Sequence, residues 1–202
     1  MTAETDHVGS QIMTDKRSPS KGLDHLAEKA AAAPTFGRQP VDCGHFDIRI
    51  ARDGTWFYRG SPIGRRPLVR LFSTVLRRDA EGSYWLVTPA ERGRITVDDA
   101  PFVAVEVAIS GEGREQQLIF RTNVDDTVAA DGDHPVRVVN DAATGAPNPY
   151  ILVRNGLEAR LSRPVFYELV ERGTEERVGD TTLFGVWSNG RFFPLGRLDG
   201  QA

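Results

Sequence analysis

Between residues 43 and 79 the spacing of apolar positions changes from a strand period to a helical one. Phe46, Ile48 and Ile50 alternate with Asp47 and Arg49, the period of a half-buried strand. Asp53-Gly54 follows as a hairpin turn signal, and Thr55-Trp56-Phe57-Tyr58 returns as a second strand of aromatic and β-branched residues. From Pro67 onward Leu68, Val69, Leu71, Phe72, Val75 and Leu76 form one apolar stripe at helical spacing, with Arg70, Ser73, Thr74, Arg77 and Arg78 opposite. Proline fits the first helical turn, and Arg77 and Arg78 would complement the negative end of the helix dipole. Arg65 and Arg66 precede the positive end, so the pattern calls for an anion beside them.

The same reading extends along the chain. Residues 1–22 are polar and expected to be disordered, 22–33 suit a short helix carrying Leu23 and Leu26, and 34–40 read as a linker. Strands are predicted over 84–87, 94–97, 103–109, 117–121 and 136–139; residues 102–109 are apolar on both faces, which suits a central strand. Residues 123–134 are acidic and turn-like, and 141–149 form a loop of Asp, Thr, Gly, Asn and Pro. The opening pattern then returns: a strand over 150–153, an Arg154-Asn155-Gly156 turn, and Arg163-Pro164 at the start of a helix bearing Val165, Phe166, Leu169 and Val170. A closing hairpin is predicted over 182–193 around Ser188-Asn189-Gly190. The pattern predicts an α+β fold of two similar halves from an internal duplication, each a small antiparallel sheet with one helix. The expected organisation is a leader over 1–33, domains over 34–100 and 101–197, and a tail over 198–202.

Composition narrows the functional classes. The 202 residues are 40% hydrophobic and 26% charged, ordinary for a soluble globular protein, and a net charge of −3 gives no global pull toward nucleic acid or membrane. Cys43 is the one cysteine, which excludes an intrachain disulfide and a multi-cysteine zinc site. No apolar run reaches the roughly 20 residues of a membrane span, and the N-terminus lacks a signal-peptide core. A cytoplasmic location is expected.

Catalytic templates are absent: there is no nucleophile elbow, phosphate loop or zincin helix. Cys43 and His45 share a strand face at i, i+2, roughly 6 to 7 Å apart by the strand rise, too far for a thiolate–imidazole pair. A buried thiol and an edge histidine are the expected reading. Asp98, Asp99, Asp125, Asp126, Asp131, Asp133 and His134 offer oxygen ligands for a divalent metal, but without EF-hand spacing a solvated acidic face is expected, with no metal and no cofactor.

Charge is unevenly spread. Ten arginines and four acids lie between Arg49 and Arg94, two arginines and nine acids between Ile95 and Asp133. Pairing of the basic half with the acidic segment would satisfy Arg65 and Arg66 with Asp98 or Asp99; the alternative is an anion site at the helix start. If the hairpin buries Phe46, Ile48, Ile50 and Phe57, its other face presents Asp47, Arg49, Trp56 and Tyr58 together, the materials of a small-molecule pocket or partner surface. Basic residues among aromatics also suit single-stranded nucleic acid, but the acidic segment argues against it.

The runs C-G-H-F-D-I-R-I-A-R-D-G-T-W-F-Y-R-G-S-P-I-G-R, L-V-R-L-F-S-T-V-L-R-R, V-D-D-A-P-F-V-A-V, F-R-T-N-V and F-G-V-W-S, in that order from residue 43 to 195, resemble the bacterial family called domain of unknown function 1285. The resemblance implies a duplicated core, a C-terminal half similar to pleckstrin-homology-like folds, a candidate binding site between the halves and a role in signalling. It implies no established activity.

The expected function is therefore a non-catalytic regulatory or ligand-binding module with a small anionic ligand in the cleft between halves. Arg49, Arg65, Arg121 and Arg154 would hold the anion, Trp56 and Tyr58 would stack, and Asp47 or Asp98 would orient donors; Asn123 and Trp187 complete the candidate set. A protein-interaction adaptor is the alternative, and a metal-dependent hydrolase a third.

Overall fold

The computed structural model describes residues 19–32 and 39–198. The expected leader before residue 19, most of the linker and the end of the tail lie outside the described residues.

Strand β1 (Val41–Ile50) turns through Ala51–Thr55 into β2 (Trp56–Tyr58) and the two-residue β3 (Ser61–Pro62). Helix α2 (Arg66–Thr74) follows, then β4 (Leu76–Arg78), β5 (Tyr84–Val87) and β6 (Glu91–Val97). The sheet order is β3-β2-β1-β6-β5-β4, and β1 and β6 pair in parallel. Two three-stranded antiparallel meanders are thus joined through the first and last strands.

The second unit repeats that order. It comprises β7 (Phe102–Ser110), β8 (Gln117–Thr122), β9 (Thr127–Ala129), β10 (Val136–Asn140), β11 (Pro147–Arg154) and β12 (Leu157–Leu161). The sheet runs β10-β11-β12-β7-β8-β9, with β12 and β7 parallel, so β7 is central as its two-sided apolar pattern predicts. Helix α3 (Arg163–Glu171) then leads to a three-stranded sheet of β13 (Thr174–Val178), β14 (Thr181–Ser188) and β15 (Arg191–Arg197). Each half is larger than the small antiparallel sheet expected: six strands, one parallel pair. The helices also sit differently, α2 between strands three and four of its sheet and α3 after strand six. Short-range resemblance between the two Arg-Pro helix starts therefore does not mark equivalent places in the two sheets.

Helix α2 is shorter than its apolar stripe. The Ser73 and Thr74 hydroxyls donate to Arg70 O and Leu71 O at 2.7 Å, and the β-branched Thr74-Val75 pair ends the helix. Leu76, fully buried, instead pairs with Leu86 on β5. Arg77 and Arg78 are therefore strand residues, although Arg77 Nη1 still donates to Thr74 O, a carbonyl of the last helical turn, at 2.9 Å.

The hairpin faces are opposite to those expected. Ile50 pairs with Trp56, Arg49 with Phe57 and Ile48 with Tyr58, and directly opposed residues share a face. Trp56 and Tyr58 thus join Ile48 and Ile50 in the core, while Phe57 lies outside under the Arg49 guanidinium, 4.9 Å from its ring centre. Each strand's own alternation is legible, but the offset between two strands comes from the turn, and a one-residue change inverts the relation.

Helix α1 (Pro19–Ala31) packs Leu23 and Leu26 into the core beside α2. Gly22 lies against the Tyr58 hydroxyl with no room for a Cβ. The core is one continuous cluster from Leu23 to Leu195, crossing both sheets. Each fully buried Leu or Phe in it contributes roughly 1.5–3 kcal/mol. Among the described residues, no helix is long and apolar enough to cross a membrane.

Candidate functional site

The two sheet units meet where the Ala51–Thr55 turn reaches across to the β8–β9 turn. Gly54, buried and at φ +83°, accepts a hydrogen bond from Asn123 Nδ2 at 3.2 Å, and Asn123 Oδ1 accepts from Val103 N at 3.0 Å. Beside this contact lies a cavity of about 200 Å³ lined by Thr55, Trp56, Arg66, Val69, Arg70 and Asn123 among others. Trp56 is 1% exposed, and its buried indole Nε1 has no acceptor among the described residues. A buried unsatisfied donor costs about 1–3 kcal/mol and asks for an explanation. Its ring stacks near Phe72 at 6.3 Å between centroids, which holds the indole in place.

Two guanidiniums border the same cavity. Arg66 opens α2 and has no ion pair or hydrogen bond among the described residues. Arg70, one turn later, lies 3.3 Å from Asp125 Oδ2 across the domain boundary. Asp125 lies 3.4 Å from Arg121 as well, but Arg121 is answered by Glu106 at 2.5 Å, so the surplus charge at the cavity is that of Arg66. The lining residues therefore offer one unpaired guanidinium, an indole, an amide and a hydroxyl, the groups that hold a small anion.

Most of the candidate residues lie elsewhere. Arg49 pairs with Asp98 at 2.5 Å on the outside of the first sheet, and Asp47 is exposed on β1. Arg65 meets Asp24 of α1 at 2.6 Å, so its anion comes from the N-terminal helix and not from Asp98 or Asp99. Tyr58 is covered by α1. Arg121 holds Glu106 at 2.5 Å. Arg154 is paired with Asp126, donates to Ser73 O at 2.9 Å and stacks on Phe102, clamping the second unit to the end of α2. Trp187 sits on β14 beneath the Arg114 guanidinium, 4.6 Å away, where its carbonyl accepts from Gln116 Nε2 at 2.8 Å. Of the candidate set the cavity unites Trp56 and Asn123. Arg66, for which the sequence calls for an anion, and Arg70, four residues on along α2, join them without belonging to that set.

The acids are distributed among arginines. Asp99 lies between Arg52 Nε at 3.2 Å and Arg160 Nε at 3.5 Å and accepts from Tyr150 Oη at 2.7 Å. Burial, then that bond to a carboxylate, pushes the Tyr150 phenol up to about 12. Asp131 holds His134 at 3.1 Å. Among the described residues no group of three His, Cys, Asp or Glu could hold a metal ion. Cys43 is exposed, not the buried thiol expected: it lies on the end of β1 where Val41 to His45 are all exposed and the β1–β6 register is irregular. Lost solvation and then the Glu91 carboxylate, 3.7 Å away, hold the thiol above its usual range. His45 Nε2 faces Thr96 Oγ1 at 3.4 Å while the Cys43 thiol lies 3.7 Å from Val41 O and Glu91 Oε2, and no hydrogen bond joins cysteine to histidine among the described residues.

Family comparison agrees with the sequence motifs. The model described as "Domain of unknown function (DUF1285), N-terminal domain" matches residues 33–100, and "Protein of unknown function (DUF1285), C-terminal domain" matches 101–195. The chain belongs to the DUF1285 family. A DUF1285 family protein from Silicibacter pomeroyi DSS-3 has a solved structure that is 48% identical, with a TM-score of 0.78, over 88% of this chain and 96% of that one. A second, from Shewanella baltica OS155, is 23% identical over 61% of this chain and 89% of that one, with a TM-score of 0.47. No curated protein matches the chain. The DUF1285 models meet between Ala100 and Pro101, so the Gly54–Asn123 contact and the cavity beside it span the two family domains. Helix α1 lies outside both.

Proposed function

We propose that this DUF1285 protein is a non-catalytic binding module that holds a small anion, a carboxylate or phosphate of a few heavy atoms, between its two domains. The orphaned Trp56 Nε1 carries this reading: a side chain 1% exposed lines an interdomain cavity and lacks an acceptor. Arg66 and Arg70 supply the charge and the Asn123 amide the connection to the second domain. Trp56 contributes its N–H edge and not a stacking face, which is covered by the core. Since the lining comes from both domains, occupancy would tighten their contact, the physical basis for a regulatory role in signalling. The shared strand order of the two sheets supports descent of the halves from one duplicated unit. Three strands follow α3, so a pleckstrin-homology-like reading would apply to the second sheet and α3 alone.

The three indole N–H resonances of the uniformly labelled protein provide the test, with formate, acetate and inorganic phosphate as probes. Saturable displacement of the Trp56 signal is expected, with Trp85 and Trp187 unmoved. Arg66→Ala, an exposed position, should weaken the effect about tenfold, the worth of one charge-assisted hydrogen bond. A Trp56 signal indifferent to every probe would remove the anion reading.

An adaptor role has its own supporting observation. Arg77, Trp85 and Arg94 stand in register across β4, β5 and β6, the indole pinned by Asp79 Oδ2 at 2.7 Å and approached by Arg92 and Arg94 at 5.1 and 5.2 Å. An acidic protein partner would suit that surface, and pull-down with Arg94→Glu against the parent would reveal it.

A further inference from the structure

A second cleft, of about 510 Å³, opens on the other side of the Ala51–Thr55 turn and shares no lining residue with the Trp56 cavity. Arg52 reaches it from the first domain, and Asn148, Arg160, Arg163, Phe166 and Tyr167 from the second. Its volume falls within the roughly 300–1,000 Å³ typical of organic-ligand pockets.

The cleft is built rather than incidental. Asn148 Oδ1 accepts from Arg52 Nη2 at 2.8 Å and from Arg160 Nη2 at 3.1 Å, so one neutral oxygen gathers two guanidiniums from different domains. Behind them both share the single carboxylate of Asp99, itself held by Tyr150. Asp141 also borders the cleft, but its Oδ1 is taken by the N–H groups of Ala143 and Thr144 and the Thr144 hydroxyl at 2.9–3.1 Å. Arg163 has no partner among the described residues. Three guanidiniums (Arg52, Arg160, Arg163) against two carboxylates (Asp99, Asp141) leave one positive charge over. Tyr167, 62% exposed, Phe166 and two prolines supply an apolar lining that a hydrated inorganic ion would not use.

We infer that this cleft binds an organic monocarboxylate with a ring or comparable apolar body, its carboxylate on Arg163 and the Arg52–Arg160 pair and its body against Phe166 and Tyr167. One negative charge completes the balance, and the apolar lining sets the preference for an organic acid over phosphate.

The test is calorimetric titration of the full chain with phenylacetate, phenylacetamide and inorganic phosphate. Phenylacetate should saturate with Kd of about 1–10 mM or tighter, the range for a ten-atom ligand of ordinary efficiency. Phenylacetamide, isosteric but uncharged, should bind at least about tenfold more weakly, as should phosphate. Arg163→Ala and Tyr167→Ala, both at exposed positions, should each weaken phenylacetate at least about fivefold while the melting temperature holds, and Arg66→Ala at the other cavity should leave it unchanged. Absence of saturable phenylacetate binding overturns the inference, as do equal binding of the amide or of phosphate, or indifference to both cleft variants. Loss in Arg66→Ala alone would move the organic acid to the Trp56 cavity and likewise overturn it.

Discussion

Asn123 reaches out of the second domain and donates its side-chain N–H to the carbonyl of Gly54 at 3.2 Å, fastening the first domain's hairpin turn at a left-handed glycine. A Cβ at Gly54 would stand 2.5 Å from Asn123 Nδ2 and 3.0 Å from Val103 Cγ2. Asn123→Ala should destabilise the protein by about 1–3 kcal/mol through two lost hydrogen bonds. Gly54→Ala should cost at least about 1–2 kcal/mol from the left-handed backbone alone, with the clash added. In the double variant the Nδ2 clash disappears, so the two costs should sum to more than the measured total. Urea unfolding of the four proteins in a mutant cycle tests this, and strict additivity would show that the residues do not touch.

Helix α1 should behave as a separately removable unit. It is held by Leu23 and Leu26, by Asp24 on Arg65, and by Lys29 on the nearly buried Glu91 at 2.5 Å. Leu23→Ala with Leu26→Ala should remove about 2–4 kcal/mol of docking. Amide exchange should then accelerate across α1 while the β7 and β8 amides keep their protection. Equal acceleration throughout would mean that α1 is part of the cooperative core.

Two arginine–aspartate pairs should differ in weight. Arg49–Asp98 is half exposed and lies wholly within the first domain, with Phe57 under the guanidinium at the surface, so Arg49→Ala should change stability by no more than about 1 kcal/mol. Arg154 also satisfies the Ser73 carbonyl and covers Phe102, so Arg154→Ala should cost about 2–3 kcal/mol. Thermal unfolding of both variants under the same conditions decides between this ranking and its reverse.

Alkaline stability should report Tyr150. Its folded pKa of about 12 exceeds the ordinary value of 10.0, so the folded state keeps a proton that the unfolded chain gives up. That contribution is complete below pH 10 and is lost as the pH rises toward 12. Tyr150→Phe should flatten the fall over that interval and cost about 1–2 kcal/mol at neutral pH, since Asp99 loses a donor. An unchanged alkaline slope in the variant would place the titration on another group.

Much of the fold was legible locally. The strands at β1, β5, β7, β8 and β11, the Asp53-Gly54 turn and the Arg-Pro starts of both long-range-packed helices follow from period and turn chemistry. Strand β12 is not legible locally, because Leu157, Ala159 and Leu161 alternate over only five residues beside a helix start. The expected helix over 67–78 runs past Thr74 because Val75 and Leu76 continue a helical stripe as readily as they begin a strand; Leu86 on β5 decides, and it is ten residues away.

The candidate site shows the same division. By itself the sequence determined that a basic first half is followed by an acidic segment, and the family resemblance implied a candidate site between the halves. Only the tertiary structure decided which arginines beside the two cavities remain available. Asp24 takes Arg65, Asp98 takes Arg49 and Asp126 takes Arg154, while the Arg66 and Arg163 side chains, each lining a cavity, have no ion pair among the described residues. The reason is physical: charge pairing and strand register are relations between segments distant in the chain, and a periodic pattern specifies a face without naming what will cover it.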